Sequence, residues 1–277
     1  MITYCINYFN SSEIAHEKNI ESIINRISIA SNKFNFEILW NNDSSSDKEL
    51  FDKKMENTTG HVYYSNDIGE LRGYNLLMNN ASGDYIVLMQ DDDIPPNYNW
   101  MDECIEIFNK YSNVGIIGLK EGGPIIHLCP CDLKEYPKAK KIGWMHTNTH
   151  AKIHYSGWLN NGPIIIKKNV LEKIGYYDEN FILKGNPFSG AEVDLVVRAW
   201  LNDIHVLRYK LNIDFDRRVN GHGSKRNKES NKKRVEGITN ANKYMWIKNF
   251  KYKNEIENKI KILNEQTFKE YKLIARK

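Results

Sequence analysis

Short apolar runs recur at residues 2–8, 34–41, 62–65, 85–90 and 114–119, separated by stretches in which apolar residues return every three or four positions. In the stretch 12–30 these are Ile14, Ile20, Ile23, Ile24 and Ile27 behind a Ser cap, the spacing of one buried face of an amphipathic helix. Residues 70–80 and 100–111 predict two more helices. Strands alternating with helices predict an α/β protein with a mostly parallel, Rossmann-like central sheet flanked by helices, and ligands bind such sheets beyond the carboxyl ends of their strands. The loops to inspect therefore follow residues 8, 41, 65 and 90, and all four are rich in Asn, Asp and Ser.

Past residue 120 the pattern loosens, with Gly122-Gly123-Pro124 breaking it and no clear period over 144–158. Order returns as a strand at 163–167, a helix at 170–174, a helix at 191–202 and a strand at 205–215. The polar stretch 220–231, with two glycines, predicts a mobile loop, and residues 238–275 predict a Lys-rich helical tail.

Composition narrows this picture in three ways. A 41% hydrophobic and 27% charged chain without an apolar run of ~18 residues is expected to be soluble and not membrane-spanning. The N-terminus lacks a basic head before a long apolar stretch, so it reads as a first strand and not a signal peptide, and a cytoplasmic location is expected. Cys5, Cys104, Cys129 and Cys131 fit no metal or redox spacing and are expected to be free thiols.

Net charge is +4, but residues 225–277 hold 16 Lys and Arg against 6 Glu, which leaves the rest of the chain acidic. This basic tail carries no nucleic-acid recognition motif, so no nucleic acid is expected as a partner. A solvated helix, peripheral membrane contact and self-association all remain open for it.

The strongest chemical signal is Tyr85-Ile86-Val87-Leu88-Met89-Gln90-Asp91-Asp92-Asp93. An apolar run makes a buried central strand, and three carboxylates at its carboxyl end are expected to emerge together into the ligand crevice. Packed like charges call for a cation, and Mn2+ or Mg2+ on one or two carboxylates, completed by phosphate oxygens and water, satisfies that need. The same three residues also read as a solvated acidic turn before Pro95.

From these motifs the chain resembles the inverting glycosyltransferases of the GT-A fold, the large family-two type, over residues 1–225. The motifs occur in the family's order. Residues 2–10 are similar to the opening strand and its Tyr-Asn turn, which implies that Tyr8 and Asn10 meet the nucleoside. Glu37 to Asp47 resembles the loop whose acid recognises the base; Asn42 stands where one acidic residue is usual, and Asp43 inherits the role. Asn66 to Asn75 looks like the run over the nucleotide, implying Arg72 and Asn75 as nucleotide-binding, although Tyr74 replaces the usual Arg. The acid run then corresponds to the Asp-x-Asp motif, with Asp91 and Asp92 toward the nucleotide and Asp91 and Asp93 toward the metal.

Gly175 to Phe181, followed by Gly190-Ala191-Glu192-Val193-Asp194-Leu195, is similar to the segment that carries the general base. The alignment assigns that role to Glu192, with Asp194 as the fallback; each also reads as helix-start capping chemistry. His222, between Gly221 and Gly223, corresponds to a residue that completes the metal shell, with Lys225 and Arg226 near phosphate. Trp158 and Tyr155 are candidate stacking surfaces for an acceptor sugar, and equally candidate core residues.

The resemblance implies a GT-A domain over 1–225, with a nucleotide-binding half at 1–120 and an acceptor-side half at 121–225, and a basic, mainly helical tail over 226–277. The implied reaction moves a sugar from a nucleotide-sugar, UDP favoured, to a glycan, lipid-linked or protein acceptor with inversion. Rival readings are a catalytically silent sugar- or nucleotide-binding module and a metal-dependent nucleotidyltransferase. The latter usually needs a Gly-rich, basic loop after the first strand, which Phe9-Asn10-Ser11-Ser12 does not supply.

Overall fold

A computed structural model describes residues 1–8, 15–43, 48–56, 60–120, 122–123, 152–160, 162–181, 190–213, 215–217 and 228–274. The chain opens with β1 (Ile2–Tyr8), α1 (Ala15–Ala30), β2 (Phe36–Asn42), α2 (Lys48–Met55), β3 (Gly60–Tyr64), α3 (Glu70–Asn80), β4 (Tyr85–Gln90) and the short β5 (Asp93–Ile94). There follow α4 (Trp100–Lys110), β6 (Val114–Gly118), β7 (Gly122–Gly123), β8 (Ile153–Tyr155), β9 (Trp158–Leu159), β10 (Ile164–Lys167) and α5 (Lys168–Ile174). The remainder is α6 (Ala191–Leu201), β11 (His205–Tyr209), β12 (Asp216–Arg217), α7 (Lys228–Asn249) and α8 (Lys253–Ile274).

The main sheet has eight strands in the order β3-β2-β1-β4-β10-β6-β11-β8. Neighbours from β3 to β4 are parallel, as the alternation of strands and helices predicts. Strand β10 is inserted antiparallel between β4 and β6, and β8 is antiparallel at the far edge. Neither reversal follows from hydrophobic pattern, which gives strand identity but not direction. The predicted strand at 205–215 ends at Tyr209, and Phe215 instead packs its ring on Trp100 at 5.4 Å.

Burial explains why these segments adopt these states. Ile86 to Met89 are closed to solvent on both faces of β4, and Ile20, Ile23 and Ile27 form the buried stripe of α1. Trp40, Trp100 and Trp200 are among the largest fully buried side chains. Tyr4 sets its ring edge-on to Trp100 and its hydroxyl 2.6 Å from Ser31 Oγ, so the core's first aromatic is also polar-satisfied. Cys5 and Cys104 are free and buried, whereas Cys129 and Cys131 fall outside the described residues.

The predicted single tail helix is two helices, α7 and α8, joined by a tight turn over Phe250–Tyr252. Both pack onto the body through Ala241, Met245, Ile256 and Ile260. On α8, Asn264 accepts the Tyr155 backbone N–H at 2.7 Å and donates to its carbonyl at 3.0 Å. Tyr155 itself is 7% exposed, with its ring edge-on to Trp200 and His205. The expectation of a sugar-stacking Tyr155 therefore meets a core residue, since a ring enclosed on β8 offers no open face.

Helix α3 approaches the ends of β1 and β2 closely because of Gly73. A Cβ there would sit 2.1 Å from Asn7 Oδ1 and 2.5 Å from Asn41 Nδ2, and these two amides are already bonded to each other at 3.2 Å. Asn7 also donates to the Glu70 carbonyl at 2.9 Å, so neither amide can move without breaking a partner. Gly73→Ala should destabilise the protein by about 1–3 kcal/mol in chemical denaturation; stability equal to wild type would show that α3 can retreat.

Candidate active site

One cluster of polar groups is supplied by the carboxyl ends of β1, β2 and β4 and the first turn of α3, with Glu192 in the first turn of α6 within electrostatic reach of Glu70. Asp43 pins its β2 side. Its Oδ1 accepts the Ile68 N–H at 2.8 Å, its Oδ2 the Gly69 N–H at 2.9 Å, and the Ser65 hydroxyl lies 2.7 Å from Oδ1. Gly69 holds a φ of 86°, which lets the chain turn its N–H toward Asp43 just before α3 begins. Tyr8 is buried at the end of β1, and its carbonyl accepts the Asp43 N–H at 2.9 Å.

Arg72 and Asn75 lie three residues apart on one face of α3. Both bind the segment 177–179. Arg72 Nε pairs with Glu179 at 3.2 Å, while Asn75 donates to the Tyr177 carbonyl at 2.9 Å and to Glu179 Oε1 at 3.1 Å and accepts the Tyr177 N–H at 3.0 Å. Both amide hydrogens of Asn75 are thus spent on protein groups, and its visible work is to fasten α3 to that segment.

The acid run does not emerge as a trio. Asp91 and Asp92 are half-buried, but Asp93 is closed to solvent, ion-paired with Lys120 and bonded through Oδ2 to the Gln90 N–H at 3.1 Å. The argument from charge repulsion failed for Asp93 because Lys120, remote in sequence, neutralises it. Beyond it β5 pairs with β12, which sets Arg217 opposite Asp93. Asn10 and His222 lie outside the described residues. Among the described residues no group of three or more His, Cys, Asp or Glu is arranged to enclose a metal.

The two glutamates at helix starts lie within reach of each other's charge. Glu70, the first residue of α3, accepts from Gln90 Nε2 at 2.7 Å. Burial lifts its pKa to about 7; the Gln90 bond opposes this, and the nearby Asp93 and Asp92 charges add to it. Glu192 follows Gly190, whose φ of 87° turns the chain into α6. Burial carries the Glu192 pKa to about 7 as well, with its own and the Gly190 backbone N–H pulling down and Glu70 pushing up. Its Oε2 is enclosed and has no hydrogen-bond partner. The Tyr177 hydroxyl is raised far above its ordinary range by burial and then by Glu192 and Glu70, so all three share one neighbourhood.

Asp194, two residues further round α6, faces the other way. It is closed to solvent and held by Arg198 Nε at 2.8 Å, Lys248 Nζ at 2.9 Å and Asn249 Nδ2 at 2.8 Å. With no access to solvent and its oxygens engaged by Arg198, Lys248 and Asn249, Asp194 has no open approach for an acceptor hydroxyl, so the fallback base is a structural anchor. Trp158 is half-buried on β9, against β7; a Cβ on Gly123 would lie 2.7 Å from its Nε1, so the indole rests on bare glycine backbone.

Sequence reasoning missed Glu70, Gln90, Lys120 and Tyr177 as members of this cluster. The available signal for Glu70 was an acid directly after Gly69 at a helix start, which reads equally as dipole chemistry. Its proximity to Glu192 joins residues more than a hundred positions apart.

No protein-family model matches the sequence, and no curated protein sequence matches it. Solved structures do. A mannosyltransferase from Pyrobaculum calidifontis, in complex with GDP-Man and Mn2+, superposes with a TM-score of 0.55 at 11% identity, over 80% of this chain and 58% of that one. TarS of S. aureus in complex with UDP-GlcNAc gives 0.51 at 15% identity, over 80% of this chain and 62% of TarS. TarS with UDP gives 0.52 at 16%, over 77% and 59%. The chain therefore spans about three fifths of the length of the structures it matches. With its parallel strands from β3 to β4, antiparallel β10 and flanking helices, it has the GT-A fold of these structures.

Proposed function

We propose that the protein is a glycosyltransferase that moves a sugar from a nucleoside-diphosphate sugar to an acceptor hydroxyl with inversion, using Glu192 as general base. The observation that carries this reading is the enclosed, unpartnered Oε2 of Glu192, on a carboxyl raised to about 7 and set beside Glu70 near the acid run. A base with a pKa near the working pH is the form that proton abstraction favours. In the transfer, Glu192 takes the acceptor O–H proton and the acceptor oxygen bonds to the anomeric carbon. The carbon–phosphate oxygen bond breaks on the opposite face, and its electron pair leaves with the nucleoside diphosphate.

The residues around the base have supporting roles. Asp43, with three of its roughly four acceptor positions used by the 65–69 loop, keeps one for a base N–H. Both TarS and the mannosyltransferase bind nucleotide-sugars, but with different bases, and UDP is the favoured donor nucleotide from Asp43. Tyr8 and Asn10 belong to the nucleoside side by resemblance alone, the Tyr8 side chain being buried at the end of β1, and the half-buried indole of Trp158 is the proposed acceptor surface. Arg72, partly exposed beside Glu179, is the cation nearest this role on α3.

Asp91 and Asp92 are hard oxygen donors at the crevice and fit Mn2+ or Mg2+ of the kind that keeps phosphate oxygens and water in its shell. Bound there, the ion would neutralise charge developing on the departing diphosphate. Asp93 supports that pair from behind through Lys120. His222, five residues past Arg217 in the sequence, is the proposed further ligand of that ion.

Glu192→Gln should retain nucleotide binding and lose turnover by about 10² or more in a nucleotide-sugar transfer or hydrolysis assay; turnover near wild type would remove Glu192 from the role. Because its carboxyl must be ionised, wild-type turnover should fall as pH drops below about 7. A profile flat from pH 5 to pH 9, on the order of four units, would refute that assignment. Asp91→Ala with Asp92→Ala should abolish Mn2+-dependent thermal stabilisation by a nucleotide-sugar panel, and an unchanged shift would count against the metal site.

A stability measurement checks the crevice independently. Glu70 has its carboxyl raised from the ordinary 4.5 to about 7, so its contribution to stability is full below 4.5 and is lost as pH rises through 7. Glu70→Gln should raise the melting temperature at alkaline pH and flatten its decline across that window. An equal decline in both proteins would show that Glu70 is not held as a buried acid.

A further inference from the structure

At its C-terminal end helix α7 departs from the pattern of an ordinary surface helix, which its inward Ala241 and Met245 otherwise follow. Lys248 and Asn249 turn inward to Asp178 and Asp194, while Ile247 is 71% and Phe250 45% exposed at the outer end. There the Trp246 and Phe250 rings stack with centroids 3.7 Å apart, making one continuous apolar patch of three side chains. Single exposed apolar residues are ordinary; a contiguous aromatic and aliphatic group is not. Between Gly237 and Asn254 the sequence carries Lys243, Lys248, Lys251 and Lys253 and no acid. Lys243 and Lys251 are exposed beside the patch.

Apolar and aromatic side chains ringed by lysine match the boundary between acyl chains and anionic headgroups. We propose that the bend between α7 and α8, presenting Trp246, Ile247 and Phe250 with Lys243 and Lys251, is a docking surface for an anionic lipid bilayer. The contact proposed is peripheral; no helix among the described residues is long and apolar enough to cross a membrane. A second copy of this chain fits the patch poorly. Stable dimers bury about 800 Å² per partner, far more than three side chains offer, and a two-fold pairing would bring the same lysines face to face.

The test is sedimentation of the full chain with vesicles of phosphatidylcholine alone or mixed with phosphatidylglycerol, at low and high salt. Binding should require the anionic lipid and weaken with salt. It should drop on the order of tenfold both in Ile247→Asp with Phe250→Asp and in Lys243→Glu with Lys251→Glu. All four side chains are exposed, so unchanged melting temperatures certify the folds, and the lysine variant keeps the test decisive if the apolar one unfolds. Equal binding to neutral vesicles, no binding, or wild-type binding by the folded variants would overturn the proposal. So would a concentration-dependent dimer, dissolved by the apolar variant, without vesicle binding. Binding here is independent of chemistry in the crevice, so an inactive Glu192→Gln protein should still sediment.

Discussion

Asp194 is buried without access to water, and a charge in that position persists only where opposite charges and donors surround it. Arg198, one turn on in α6, supplies one cation and also grips the carbonyls of Gly175 and Tyr176. Lys248 and Asn249 supply the rest from α7, and Lys248 reaches Asp178 at 2.7 Å as well. The segment after α5, helix α6 and the C-terminal helices are thereby referenced to a single carboxylate. Glu192 lies two residues before Asp194 in the first turn of the same helix, so its place beside Glu70 depends on that anchorage.

The crevice follows a second constraint, the cost of burying acids close together. The chain meets it differently at each one. Asp93 is neutralised by Lys120, Asp43 is absorbed by backbone N–H groups, and Glu70 and Glu192 stay near the balance between charged and neutral forms. Acids of one chemical type thus divide into scaffold and reactive groups by environment alone.

Much of the fold was legible because burial writes itself into sequence. The unbroken apolar run of β4 and the isoleucine stripe of α1 lie where the pattern puts them, and α3 spans the expected residues. The reversal of β10 was not legible, since Ile164 to Ile166 would read alike in either direction. Helix α2 was missed because its eight residues, KELFDKKM, carry too few apolar positions to show a period. In the site, acids and their loops were visible as residue types, but the partners that decide each acid's role were not. Lys120 and Lys248 are ordinary lysines in sequence, and only the tertiary structure brings one to Asp93 and the other to Asp194.

The side-chain amide of Asn264 does for β8 what another strand would do, taking up both backbone groups of Tyr155 at the outer margin of the eight-stranded sheet. An open margin is a template on which a further chain can grow by strand addition. Asn264 on α8 therefore occupies the backbone groups from which strand addition at β8 would begin, and a chain cut short before residue 264 would leave them open.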